Sequence, residues 1–268
     1  MARYLHLDND DTIVGPLARH LGSTYVNGYK NLEKYSILNP VIFRGMAGRK
    51  IVETCERQGR TYYYIDTGYI GNMQKRKDWH RIVINGMQHS QPNLKCPKDR
   101  FNRIAQHKPY LNFPGWKKTG KAILVVTPSE KPCKFYGINR DDWVTETLTT
   151  LKQYTDRPII VRDKVNRRDR VGDGSLYNQL DEDNIYAVVT YNSIAATEAI
   201  GYGIPCFTLA PNAADLFCEK ELSNIETPKY GDPEQVTKWQ HWLAYCQYTP
   251  TEMLNGDAIK LMRRYNIK

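Results

Sequence analysis

From residue 122 onward the chain alternates short apolar runs with polar turns and stretches of helical period. Ala122-Ile123-Leu124-Val125-Val126 is apolar without a break, the pattern of a parallel strand covered on both faces. Over Asp141–Tyr154, the residues Trp143, Val144, Leu148 and Leu151 recur at near-helical spacing, which predicts a helix with one buried stripe. Pro158–Val161 predicts the next strand and Leu176–Leu180 a short helix. The stretch Ile185–Ala210 then reads as one unit: a buried strand at Tyr186–Thr190, a polar turn at Tyr191-Asn192-Ser193, a helix of small residues from Ile194 to Tyr202, and a strand at Pro205–Leu209. Strands alternating with helices in this way predict an α/β fold around a parallel sheet.

The first half carries a fainter version of the same rhythm. Tyr4–Leu7 predicts a short strand running into an acidic turn, Asp8, Asn9, Asp10 and Asp11; a helix over Thr12–Leu21 follows, capped by Asp10 or Asp11 and stopped at Gly22. Val41–Phe43 is a buried-strand run, Arg44–Gly48 a glycine-bearing turn, Arg49–Gln58 a helix ended by Gly59, and Thr61–Ile65 a second strand. This βαβ-like unit predicts a Rossmann-like first half, with Arg81–Ile84 as a further strand. Between Ser90 and Lys121 the pattern loosens around prolines 92, 97, 109 and 114, which predicts an interdomain connection and domains at 1–118 and 119–268. Glu234–Gln247 and Met253–Tyr265 predict two closing helices.

Open α/β sheets bind ligands at the carboxyl ends of their strands. Three such ends converge in the second half: Thr127 to Lys131, including Thr127 and Ser129; Arg162 to Lys164; and Asn192 to Glu198. Ser193 is placed to cap the helix after it, which leaves the amides at Ala195 and beyond free to meet an anion. Glu198 repels phosphate and suits ribose hydroxyls. Ala195, Ala196, Gly201 and Gly203 are small enough for backbone and ligand to approach closely. Arg162 and Lys164 suit a leaving diphosphate, or else belong with Arg167, Arg168 and Arg170 to a solvated basic loop. In the first half Asp66 stands at a strand end beside Gly68, as a general base for an attacking hydroxyl or as the cap of the next turn. The carboxylates of Asp8, Asp10 and Asp11 read as capping and turn chemistry rather than metal ligands.

Composition narrows the partners. Of 268 residues, 38 are Lys or Arg and 29 Asp or Glu, and the resulting charge of +9 suits a polyanionic partner. Residues 71–90 concentrate that character: Lys75, Arg76 and Lys77, then Trp79, His80 and Arg81, a mixture that grips a phosphate backbone while an aromatic supports an unstacked base, or a solvated loop. The six cysteines are scattered without a CxxC pair, which fits reduced thiols. With no apolar run long enough for a bilayer and a polar start, the chain is expected to be soluble, cytoplasmic and monomeric, without a membrane partner.

Asn192-Ser193, Glu198-Ala199, Gly203 and Pro205 resemble the Ser...Glu-Ala...Gly-x-Pro signature in the donor domain of GT-B glycosyltransferases and the related UDP-sugar 2-epimerases. The resemblance covers about the last half of the chain. It implies a GT-B-like α/β fold of two Rossmann-like domains facing a central cleft, with a terminal helix crossing back to the first domain. It implies that Ser193 and the following amides hold a donor diphosphate, that Glu198 takes the ribose, and that cationic side chains serve in place of a tightly bound metal. The expected co-substrate is a nucleotide-diphosphate sugar, UDP-glucose first, with no tightly bound cofactor. Charge and layout also resemble phage-type transferases that glycosylate hydroxymethylated bases, which implies DNA as acceptor. Two other readings stand beside this: a UDP-sugar enzyme acting on a polysaccharide or small molecule, as transferase or epimerase, and a nucleic-acid-binding protein without turnover.

Overall fold

The computed structural model describes residues 3–8, 11–45, 49–72, 78–163 and 176–268. Among these the strands are β1 (Leu5–His6), β2 (Thr24–Tyr25), β3 (Val41–Arg44), β4 (Tyr62–Thr67), β5 (His80–Ile84), β6 (Ala122–Val126), β7 (Ile159–Arg162), β8 (Ile185–Thr190), β9 (Cys206–Thr208) and β10 (Gln247–Tyr248). The helices are α1 (Val14–His20), α2 (Arg49–Gln58), α3 (Asp99–Ala105), α4 (Glu130–Tyr136), α5 (Arg140–Leu151), α6 (Leu176–Glu182), α7 (Ala195–Gly201), α8 (Pro233–Tyr245), α9 (Pro250–Leu254) and α10 (Asp257–Tyr265). The described residues divide into two compact units, one drawn from 3–72, 78–89 and 245–268, the other from 90–244.

The second unit is built on the order β7-β6-β8-β9, all parallel. Every residue of β6 and β8 is buried, as their unbroken apolar runs require. Full burial of each Val, Leu or Ile there is worth about 1.5–3 kcal/mol. On one face α5 packs Trp143 and Leu151 onto Ile123, Val125, Ala187, Val189 and Phe207. Helix α5 starts where it does because the Asn139 side chain accepts the amides of Asp141 at 2.8 Å and Asp142 at 3.2 Å. Right-handed crossovers put α6 and α7, which touch each other, on the opposite face.

The stretch 90–121 differs from the expected connection. It is part of this unit's core, with Phe101, Ile104 and Leu111 buried, and Gln240 of α8 donates to the Leu111 carbonyl at 2.7 Å. Its prolines and basic residues mark a surface-hugging path, and its sparse apolar residues suffice to anchor it. The unit boundaries therefore fall at 89/90 and 244/245 rather than at 118/119.

The first unit has the order β10-β5-β4-β3-β1-β2. Strands β2, β1, β3 and β4 are parallel, and β5 and β10 extend the sheet antiparallel. The closing residues 253–265 form two helices, because Gly256 takes φ +82° between them and packs so tightly on the His20 ring that a Cβ would lie 2.1 Å from it. Both helices belong to the first unit.

Candidate functional site

In the second unit the chain leaves β6 toward β7 and returns to β8 on the other side, so the direction of winding reverses between β6 and β8. Loops leaving adjacent strands part at such a point and open a crevice. The loops here are 127–129 and 191–193, and Thr190 Oγ1 donates to the Val126 carbonyl at 3.1 Å to tie the two strand ends beneath them. Thr127 is buried; its hydroxyl donates to Asp163 at 3.0 Å and accepts from Arg140 at 3.3 Å, while Arg140 pairs with Asp163. Ser129, at the start of α4, makes no capping bond with its side chain.

Asn192 is buried and Ser193 half-buried. Ser193 stands one residue further from the helix than expected: Ile194 occupies the cap position, and the Ser193 hydroxyl accepts the Ala195 amide at 3.2 Å. The amides predicted to be open to an anion are thus partly taken, since Ala196 also donates to the Ser193 carbonyl at 3.2 Å. Asn212, unremarked as a binding residue in the sequence, donates to that same carbonyl at 2.9 Å and accepts the Ala214 amide at 3.0 Å. Residues 212–215 form a buried turn locked by Asp215, which accepts from Thr208 at 2.8 Å and Lys220 at 2.7 Å. Glu198 is half-buried beside the Tyr177 phenol, which burial first and the Glu198 charge second push well up. Arg162 reaches the Gln179 side chain of α6.

The glycines serve the protein's own packing rather than a ligand. A Cβ on Gly201 would lie 2.9 Å from Gln240, and one on Gly203, at φ +83°, 2.1 Å from the Gly115 carbonyl oxygen. The expected room for ligand approach there is filled by chain.

The first unit has its own reversal, between β1 and β3. Its two loops bring together Asp8, Asp11 and Arg44. Asp8 accepts the Arg44 amide at 2.8 Å. Asp11 accepts the amides of Ile13 at 2.7 Å and Val14 at 2.8 Å, and pairs with the Arg44 guanidinium at 2.9 Å. Burial raises the Asp8 carboxyl more than the Arg44 amide lowers it, and the Asp11 charge adds to the rise. Burial would raise Asp11 too, but its amide bonds and Arg44 outweigh that and hold it low. Two neighbouring carboxylates are thereby driven apart, one toward proton acceptance and one toward a permanent charge.

Asp66 is the next-to-last residue of β4 and the cross-strand partner of Arg81. It accepts from the Tyr64 hydroxyl at 2.6 Å and the Thr67 amide at 2.7 Å, and pairs with Arg81 at 3.1 Å. Arg81 is 4% exposed and lies near the rings of Tyr64 and Tyr69 at 5.7 and 5.3 Å. His80 is 1% exposed. Burial in β5 removes these two side chains from the nucleic-acid surface that the sequence predicts. Trp79 is half-exposed; Lys75, Arg76 and Lys77 lie outside the described residues, as do Asp10, Lys164, Arg167, Arg168 and Arg170.

No protein-family model and no curated protein matches the sequence. Solved structures do. The chain is similar to KpsC of Thermosulfurimonas dismutans, beta Kdo 2,7 transferase, at 13% identity and a TM-score of 0.56, over 95% of this chain and 99% of that one. Its fold resembles a sugar transferase's. The beta Kdo 2,4 transferase of the same KpsC is similar at 11% identity and a TM-score of 0.48, over 88% of this chain and 89% of that one. At such identities the likeness concerns fold, and the fold is the GT-B-like α/β architecture expected from the sequence.

Chemically, the second unit's crevice offers the Ser129 hydroxyl and the Ser193 turn, backed by the Thr127–Asp163–Arg140 network. The first unit's reversal offers Asp8, a carboxylate that burial makes more basic than an ordinary Asp, the direction that favours a general base. A carboxylate before a helix reads locally as a cap, and Asp8 stands out only by its place after the first strand once the strand order is known.

Proposed function

We propose that the protein is a glycosyltransferase that moves a sugar from a nucleotide-activated donor to an acceptor hydroxyl. The observation that carries this is the pairing of loops 127–129 and 191–193 at the β6/β8 reversal, in a chain whose fold is similar to that of a beta Kdo 2,7 transferase. The donor's nucleotide and phosphates belong at that crevice, with Ser129, Asn192, Ser193 and Ala195 at its mouth and Thr127, Arg162 and Glu198 as supporting groups. In such a transfer a base accepts the acceptor's hydroxyl proton as that oxygen bonds to the anomeric carbon, and the nucleotide leaves with the electron pair of the broken bond; the raised carboxyl of Asp8 makes it the proposed base in place of Asp66. Asp66 neutralises Arg81, which ties it to the sheet.

UDP-glucose and a hydroxymethylated base in DNA are the donor and acceptor that the sequence resemblance and the +9 charge support. The burial of His80 and Arg81 weakens the DNA part of that reading. A second reading, with an activated acidic sugar of the Kdo kind as donor, is favoured by the similarity to KpsC, a beta Kdo 2,7 transferase. The experiment measures breakdown of UDP-glucose and of nucleotide-activated Kdo, each with and without hydroxymethylated DNA. Turnover of either donor supports the proposal and names the donor, and dependence on the DNA names the acceptor. DNA binding without turnover supports the non-catalytic alternative. If neither nucleotide sugar binds, the proposal fails. Asp8→Asn is expected to lower kcat at least about 100-fold, with donor affinity unchanged. The wild-type rate should rise with pH, because the base works deprotonated, and burial shifts that rise upward from the ordinary Asp value.

A further inference from the structure

At the amino-terminal edge of the second unit's sheet lies an open groove of about 680 Å³, lined among others by Lys121, Lys152, Tyr154, Asp156, Arg157 and Glu226. It is separate from the β6/β8 crevice. Lys121 precedes β6 and Thr127 follows it, so the two ends stand about 20 Å apart along the strand.

The groove's chemistry is unlike a packing defect. Tyr154 is 46% exposed, an aromatic face offered to solvent. Arg157 is fully committed: it donates to both Glu226 carboxylate oxygens at 2.9 and 3.0 Å, to the Gly120 carbonyl, and lies 3.8 Å from the centre of the Tyr186 ring. Thr155 also donates to Glu226. That cluster fixes the floor. Lys121 and Lys152 are exposed and form no ion pair among the described residues. The polar and aromatic character continues beyond the groove, where Lys118 stands 5.7 Å over the Tyr230 ring and Trp116 meets Tyr230 edge-on at 5.6 Å.

A pyranose ring packs its C–H face on an exposed aromatic, its hydroxyls bond to planar carboxylates and amides, and a uronate carboxylate pairs with a free ammonium. The groove presents all three. A DNA backbone meets a poorer match, because the Asp156 carboxylate in the lining accepts hydrogen bonds, and a saccharide offers hydroxyl donors to it where a phosphodiester offers none. We propose that this groove binds an acidic saccharide, with Tyr154 as stacking platform and Lys121 and Lys152 as carboxylate partners, at a distance from the crevice. The proposal stands independently of glycosyl transfer. For a transferase it gives a place where a growing or acceptor glycan is held while its end is modified elsewhere.

The test titrates the full chain with a hexameric oligogalacturonate by calorimetry, alongside maltohexaose and a six-nucleotide thymidylate. Oligogalacturonate is expected to bind at least about tenfold more tightly than either control. Tyr154→Ala and Lys152→Ala should each weaken it about tenfold, the size of losing one anchoring contact. Both side chains are exposed, so the variants should keep the wild-type thermal transition, and Lys121→Ala provides a third, independent site. Absence of binding overturns the proposal, as does affinity unmoved by all three variants. Equal affinity for maltohexaose removes its acidic part, and tighter binding of the thymidylate replaces it with a nucleic-acid surface.

Discussion

Replacing Asp66 by Asn keeps the shape of the side chain and removes its charge. Arg81, its partner at 3.1 Å, has a side chain 5% exposed, whereas Asp66 is 30% exposed. At an effective dielectric of about 20, two unit charges at that separation attract by about 5 kcal/mol. Breaking a buried pair from one side costs about 3–5 kcal/mol, because the remaining charge is stranded. Water reaching the Asp66 position recovers part of this, as do the Thr67 carbonyl that Arg81 also donates to and the rings of Tyr64 and Tyr69. A loss of about 2–4 kcal/mol is therefore expected, a large share of the roughly 5–15 kcal/mol that stabilises a domain. Urea denaturation at pH 7 measures it on wild type, Asp66→Asn, Arg81→Met and the double variant. The double variant should cost less than the two singles together, because no unpaired charge is left buried. Stability of Asp66→Asn within about 0.5 kcal/mol of wild type, the range of an ordinary surface substitution, would refute the argument. If turnover collapsed at the same time, Asp66 would regain the role of base.

Burial and the Arg81 charge hold the His89 imidazole down to about 3, against 6.5 in the unfolded chain. The unfolded state therefore binds a proton below pH 6.5 while the folded state does not. Stability should fall by up to about 1.4 kcal/mol per pH unit from there toward pH 3. His89→Gln should flatten the slope between pH 6.5 and 5 in urea titrations. Asn212→Ala removes two bonds at a site 1% exposed, and about 2–4 kcal/mol of stability should go with them, read as a lower unfolding midpoint. An unchanged midpoint would mean that the Ser193 turn holds itself. Gly203→Ala sets a methyl against the Gly115 carbonyl at a left-handed backbone angle; it should cost about 3 kcal/mol or more, and a thermal melt indistinguishable from wild type would contradict the packing described.

The parts of this protein that were legible in the chain are those set by neighbours in sequence. Helix α2 runs from Arg49 to Gln58 as its apolar spacing and Gly59 predict, and Gly59 takes φ +64° to stop it. Strands β6 and β8 follow their unbroken apolar runs, and the Asp11 side chain accepts the amides of Ile13 and Val14 just before the first helix, where Ile13 holds the cap position. Short elements escaped: α4, β2 and β10 have too few residues to build a period, and the break at Gly256 shows only as one residue inside a helical pattern.

Sequence alone determined the class of fold, because hydrophobic period, capping and glycine stops act over a few residues and need no distant partner. Tertiary structure decided the chemistry. A charged residue in a strand such as Arg81 faces water or core according to register, and that depends on β4, 15 residues earlier, carrying Asp66 to meet it. Asp8 and Arg44, 36 residues apart, become neighbours when β1 and β3 pair side by side. Strand order places the two reversals, and strand order is a property of how the whole chain folds back on itself.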